Sequence, residues 1–523
     1  MNPRANVHYV VSIPDPASHL VQLELRLTDA ADLGTSFEVE MAAWCPGSYL
    51  IRDYARFVRE LRATDGEGGE LAVTKSSKQS WRIDRGDAAE VVIRYRVYGH
   101  ELTVRTNHID ATHAFLHGPA IYLYVEARRA QPADVTVEVP DAWHLSTGLP
   151  RHGAHHRAAH LDQLLDCPLH LGLVELRELR AAGKPLELAV WGGFDGTGVA
   201  DMDKLTADVQ TIVEAHAERF GGAPYDDYTF MLMLAPRAYG GLEHASSSAN
   251  LNTPFAMATQ NDYGDLLELL SHEFFHVWNG KRIFPAGLSP FEYRCEQYTR
   301  CLWVMEGLTS YYDRYTLRTA GLLTTARYLE KLADEWGKLR MQPGRLAQSL
   351  EEASFDAWVK LYKAHESNIN TTISYYLKGG LVSLALDFEI RRRTAGARSL
   401  VDVLRHLWEV YGRVGEPYPE DVQAVFETAT GIGLGEFFDR LIRGTEDPDL
   451  AAELATAGLT LRETWDQAQV QDGKQPVWCG ITLKSGLRVA GVIDGSPAAA
   501  AGLSPDDELI AFDRRRLKTE GGL

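Results

Sequence analysis

The stretch Leu270-Ser271-His272-Glu273-Phe274-Phe275-His276-Val277-Trp278 carries the first chemistry the chain offers. His272 and His276 are four apart in an apolar run of helical period. On a helix they share one face, with Cβ atoms about 5–6 Å apart. That spacing lets two neutral imidazoles hold one Zn²⁺ at about 2.0–2.1 Å each. Glu273 stands about 100° round the same helix, given 3.6 residues per turn. It therefore reaches a water on the metal without being a ligand itself. The pattern H-E-x-x-H predicts metal-assisted hydrolysis. A catalytic zinc takes three protein ligands and keeps one position open, so a third ligand must come from elsewhere. Glu306 is the best placed, in Leu302-Trp303-Val304-Met305-Glu306-Gly307-Leu308-Thr309, an otherwise apolar stretch opening a helix. A carboxylate there is costly to bury unless paired or metal-bound. Glu292 and Glu296 compete from a more polar segment and rank lower. The expectation is one zinc per chain, held by His272, His276 and Glu306.

These residues need elements to position them. Asp262 to Lys281 reads as the helix that presents the two histidines. Before it, Tyr228 to Leu234 reads as a strand, with Phe230, Leu232 and Leu234 on one side. Tyr239-Gly240-Gly241-Leu242-Glu243-His244-Ala245-Ser246 follows. Two glycines after a strand let backbone approach another group closely, so Gly240, Gly241, Glu243 and His244 form a candidate substrate edge. Leu186 to Trp191 is a further strand, and Asp201 to Phe220 a helix with Leu205, Val209, Ile212, Val213 and Phe220 at helical spacing.

Upstream, residues 7 to about 180 alternate with period two. Val21, Leu23, Leu25 and Leu27 interleave with Gln22, Glu24 and Arg26, and Ile93, Tyr95 and Val97 with Arg94 and Arg96. Alternation with Gly, Pro and Asp clusters between runs predicts half-buried strands, hence an all-β, sandwich-like domain over 1–180. The aromatic turn Trp44–Tyr54 reads as domain-interface packing, and His152, His155, His156 and His160 as a solvated loop. Downstream, apolar stripes over 302–318, 324–340, 375–392, 399–411, 419–429 and 434–443 predict a helical subdomain. The catalytic part is therefore expected over 181–447, a polar linker over 448–475, and a small β module over 476–523.

The chain has 523 residues and a formal net charge of −19. Such a surface repels nucleic acid and attracts cationic groups such as a free amino terminus. Five scattered cysteines, Cys45, Cys167, Cys295, Cys301 and Cys479, form no disulfide framework. No apolar run is long enough to span a bilayer, and Met1-Asn2-Pro3-Arg4 lacks the apolar segment of a signal peptide. A cytoplasmic protein with reduced thiols and no membrane or nucleic-acid partner is expected.

Jointly these motifs resemble the M61 family of zinc aminopeptidases, the glycyl aminopeptidase family, and more distantly the M1 aminopeptidases. His272-Glu273-x-x-His276-x-Trp278-x-Gly280 resembles the zinc helix, and Trp303-x-x-Glu306-Gly307 the third-ligand helix. Gly240-Gly241-Leu242-Glu243-His244 resembles the exopeptidase edge motif, and Tyr376-Leu377-Lys378-Gly379 the motif whose tyrosine assists the transition state. The aromatic Trp44–Tyr54 patch also fits. The module from Trp478 to Phe512 resembles a PDZ domain of the bacterial protease type, stopping before the second helix and last strand of such a groove. The resemblance implies a thermolysin-like (gluzincin) α/β catalytic domain with a helical part, so a multidomain α+β fold. It implies an aminopeptidase acting on peptides with a free amino terminus and preferring small residues, glycine or alanine. Glu273 would be the general base and Tyr376 the oxyanion donor, with Tyr375 as runner-up. Glu243 would bind the α-ammonium. Backbone at Gly240 and Gly241 would pair with substrate as an added strand, and His244 would donate a hydrogen bond nearby. Two departures stand out: the long gap from His276 to Glu306, which fits M61 better than M1, and His244 where M1 enzymes have Asn. Two other readings compete: a thermolysin-like endopeptidase, and a non-catalytic scaffold presenting the PDZ-like module to peptide tails.

Overall fold

The structure, a computed structural model, describes residues 5–193, 201–464 and 478–517. It divides into two compact units. The first comprises Met1–Tyr298, Tyr312–Thr325 and Leu407–Tyr418; the second comprises Thr299–Tyr311, Ala326–His406 and Pro419–Leu523.

In the first unit the period-two segments form strands as expected. Val7–Ser12 pairs parallel with Ala133–Glu138 and antiparallel with Leu20–Leu27, within a ten-stranded sheet. A four-stranded sheet accompanies it. Inward residues such as Val11, Val21, Leu25, Ile93 and Val135 are buried in one apolar core with Tyr122 and Leu169. The histidine segment is not a loop. Arg151–His152 and His155–Ala158 pair as a hairpin, and the His160 side chain caps the helix Leu161–Leu165.

A five-stranded mixed sheet follows in the same unit, in the order Glu175–Ala181, Lys184–Trp191, Tyr228–Leu234, Ser247–Asn252, Gly240–Glu243. Its first hairpin straddles the expected boundary at residue 181. Tyr228–Leu234 is the central strand, with parallel neighbours on both sides, and all of its residues are buried rather than every second one. A strand covered on both faces reads as a continuous apolar run. Gly240–Glu243 is the edge strand. Helix Met202–Phe220 starts where the Asp201 side chain accepts from the Lys204 N–H and stops at left-handed Gly221. Helix Gln260–Phe275 starts under a Thr259 cap.

The second unit is mainly helical. Expected stripes appear as Thr325–Arg340, Leu377–Arg393, Leu400–Val410, Val422–Thr430 and Gly435–Leu441. Two short helices, Leu350–Phe355 and Leu450–Thr456, were not expected. The second lies at the start of the expected linker and buries Leu450 and Leu454; most of the rest of that linker, 465–475, lies outside the described residues. The carboxy-terminal module shows a hairpin of Ile481–Lys484 with Arg488–Val492, a helical turn Pro497–Ala500, and the short pair Ala511–Phe512 with Arg515–Arg516. Its Val492 carbonyl accepts from Asn370 Nδ2 at 2.9 Å.

Candidate metal and peptide site

The histidine helix ends earlier than its pattern predicts. His276 is its C-cap, but with φ −61° and ψ −15° it keeps helical geometry. The i, i+4 stacking therefore survives, with the two imidazole centroids 4.8 Å apart. Each ring has its Nδ1 engaged. His276 Nδ1 lies 2.7 Å from the Asn279 carbonyl oxygen, and His272 Nδ1 lies 2.9 Å from Asp313 Oδ2. Those oxygens accept, so both Nδ1 atoms carry the proton and Nε2 is the metal-binding nitrogen of each ring.

Glu306 sits in a π-helical turn, Trp303–Gly307, which continues as helix Leu308–Thr319. One extra residue in a turn re-aims a side chain, and such turns gather at functional sites. Glu306 is 2% exposed. Asp313 follows it by seven residues, two turns along the same helical run and so near the same face. One ligand atom from each of His272, His276 and Glu306 lies within 4.8 Å of the others. Two imidazoles with fixed tautomers and one buried carboxylate make a nitrogen, nitrogen, oxygen donor set suited to a catalytic zinc with a fourth position open.

Strand period two explains the other group. Gly241 and Glu243 face the histidine helix, whereas Gly240, Leu242 and His244 face away. Ligand atoms of Glu243, Glu273 and His276 also lie within 4.8 Å of one another. Both carboxylates are 5% exposed. Gly241 is the close approach: a Cβ built there would stand 1.9 Å from Glu273 Oε1. Gly47, in the aromatic turn and at φ +82°, does the same for Glu243, whose Oε1 lies 2.5 Å from where its Cβ would be. The Trp44–Tyr54 patch thus does more than pack. It walls the Glu243 carboxylate.

His244 is not brought to this cleft. Its Nδ1 lies 3.1 Å from Asp166 Oδ1, which also accepts from Lys281 Nζ at 2.6 Å, while Asp166 Oδ2 accepts from the Ala245 N–H at 2.8 Å. Burial alone would raise the Asp166 carboxyl. The Lys281 ammonium and His244 outweigh it and hold Asp166 well below the usual carboxylate range. His244 lines a separate cavity of about 310 Å³ with Cys45, His117 and Lys281. The Gly241 carbonyl, expected to pair with substrate, already accepts from Arg105 Nη2 at 2.9 Å.

Tyr376 lies in the second unit, immediately before helix Leu377–Arg393, half-buried and stacked on the buried Tyr375 ring at 4.9 Å. The glycines of its motif and of the Glu306 motif meet. A Cβ on Gly307 would stand 2.7 Å from Gly379 Cα. Two residues without side chains let these helices cross backbone to backbone, close to both Glu306 and Tyr376. Lys378, between them, is structural: its Nζ donates to the Arg345 and Thr445 carbonyls, and burial lowers it to about 8. Sequence reasoning missed Asp313, Gly47, Arg105 and Asp166. Only Asp313 left a local signal, its heptad spacing from Glu306.

Two family models match: the peptidase M61 N-terminal domain over residues 8–173 and M61 glycyl aminopeptidase over residues 265–382. An aminopeptidase N family protein from Idiomarina loihiensis is 31% identical, with TM-score 0.92 over 99% of this chain and 91% of that one. The M1 zinc metallopeptidase of Deinococcus radiodurans shares the fold at 14% identity and TM-score 0.52, over 86% of this chain and 96% of that one. A variant of that enzyme, bound to a Tyr-Ser-Ala substrate, aligns over the same shares at 14% identity and TM-score 0.51. No curated protein matches the chain. No helix among the described residues is long and apolar enough to cross a membrane. The M61 matches at both ends of the first 400 residues and the near full-length relative together show that the chain belongs to the M61 glycyl aminopeptidase family of peptidases.

Proposed function

We propose that the protein is a zinc aminopeptidase that removes small amino-terminal residues, glycine or alanine, from peptides in the cytoplasm. The observation that carries this reading is the pair of buried carboxylates, Glu243 and Glu273, converging beside His276. A cation within about 4–6 Å favours the charged form of a carboxylate. A substrate α-ammonium at Glu243 supplies the cation and fixes the cut one residue in. Zinc held by His272, His276 and Glu306 would polarise the scissile carbonyl and acidify water. Glu273 takes the proton of the attacking water and returns it to the leaving amine. Tyr376, more accessible than Tyr375, donates to the developing oxyanion, a contact typically worth about 3–4 kcal/mol. The preference for small residues is supported by Gly47, whose backbone stands against Glu243 and leaves little room beside it. The Deinococcus neighbour with a tripeptide bound is consistent with peptide substrates. Five free cysteines support a reducing compartment. The carboxy-terminal module, read as PDZ-like, is the candidate for binding peptide tails, and its hairpin and helical turn are compatible with part of such a domain.

The test is a panel of free and acetyl-blocked glycyl and alanyl anilides, with and without a chelator. Free glycyl and alanyl substrates should be cleaved, blocked ones should not, and chelation should abolish turnover. Equal cleavage of blocked substrates would point to an endopeptidase, and negligible zinc in gently purified protein to a scaffold.

A further inference from the structure

The edge strand Gly240–Glu243 has opposite charges at its two ends. Glu243 stands at one, and Glu273 lies against Gly241 between the two. At the other stands Arg105, with Nη2 on the Gly241 carbonyl at 2.9 Å and Nη1 3.8 Å from where a Cβ on Gly240 would be. The arginine is fixed through its own backbone. Its N–H donates to Thr103 Oγ1 at 3.0 Å, and its carbonyl accepts from the Tyr54 hydroxyl at 2.9 Å. The direction of a bound peptide follows from Glu273. Its carboxylate lies against Gly241, so the chain runs from an ammonium at Glu243 towards Gly241, with the bond to be cut between them. The residue after that bond then ends level with Gly241, whose carbonyl Arg105 holds. A strand rises about 3.4 Å per residue, so Glu243 to Gly241 spans about 7 Å. An extended dipeptide covers about the same distance from amine to carboxylate.

We propose that the site selects short peptides as zwitterions, dipeptides above all, and that Arg105 receives the carboxylate of the leaving residue. This rests on Glu243 as the amine anchor. A neutral donor would serve the Gly241 carbonyl equally well. A guanidinium adds a charge and a fork that matches a carboxylate in two bonds. Lysine supplies the charge without the fork. Arg105 is thus a specificity residue whose effect falls as the peptide lengthens and its carboxylate moves beyond reach.

The experiment compares kcat/KM for Ala-Gly, its carboxy-terminal amide, and Ala-Gly extended by four glycines, in the zinc-loaded full chain. The free acid should exceed the amide by about tenfold or more, the size of a charge-assisted contact, and the long peptide should resemble the amide. In Arg105→Gln that ratio should fall to within about twofold, with Arg105→Lys between. A ratio near one in the unaltered protein, or one unchanged in Arg105→Gln, overturns the proposal. If Arg105→Gln does not fold, competition decides it: Ala-Gly should inhibit alanyl anilide turnover about tenfold more tightly than its amide, and equal inhibition overturns the proposal. Acetyl-Ala-Gly is the separate control. Its cleavage at the rate of Ala-Gly would defeat the amine anchor itself, whatever the carboxylate ratio.

Discussion

At the scale of single residues, the proposed metal group would depend on atoms one step behind its ligands. Asp313 holds the His272 ring by its Nδ1, and a carboxylate in that place fixes both tautomer and orientation. Asp313→Ala should weaken zinc binding about 10–100-fold, read by competition with a chelating indicator; unchanged affinity would show that the ring is held by other means. The shared face of His272 and His276 was legible because it depends only on spacing four along one helix. His244 was misplaced because its neighbour Glu243 had already claimed the cleft face. Period two then sends residue 244 to the opposite face, and the Asp166–Lys281 pair awaits it there. Gly47 stands in the aromatic turn that the sequence marks only as interface packing, and Arg105 stands in no motif; both meet the edge strand only through folding.

At the scale of elements, the edge strand and the histidine helix fit together because one of them lacks a side chain. Gly241→Ala places a methyl 1.9 Å from Glu273 Oε1, so the carboxylate must move. The expected result is a loss of about a hundredfold in kcat, the size of an ångström-scale misplacement of a reacting group, with zinc content retained. Wild-type turnover would mean that Glu273 acts from another position. The long helices were legible from their apolar stripes. The short helix Leu450–Thr456 was not, because two buried leucines in a polar stretch make too weak a periodic signal. The π-helical turn at Glu306 was also hidden, since one inserted residue barely disturbs an apolar run.

At the scale of the whole molecule, buried histidines tie stability to pH. His113 and His170 are both 0% exposed. Burial, with neighbouring histidines, holds His113 well below its ordinary value, and burial, with His144, lowers His170 to about 3. The unfolded chain protonates both near 6.5, whereas the folded chain resists. Their stabilisation is therefore complete above that pH and is lost progressively as pH falls from 6.5 towards 3. Each proton contributes at most about 1.4 kcal/mol per pH unit. Tm of metal-free protein should drop between neutral pH and pH about 5, and His170→Phe should flatten that slope. An unchanged slope would place the acid sensitivity elsewhere. The β-rich and helical parts of the fold were legible at this scale from the change of period near residue 185. The boundary itself was not, because the hairpin Glu175–Trp191 carries the same alternation as the strands before it.

The turn at Gly47 has a practical consequence. The wall beside Glu243 is built from the opening tenth of the sequence, while the carboxylate itself lies nearly two hundred residues later. An engineer who trimmed this protein to its hydrolytic half would remove the backstop of Glu243 together with the apparent ornament. Recombining front and back halves from different relatives would likewise exchange that wall along with the scaffold.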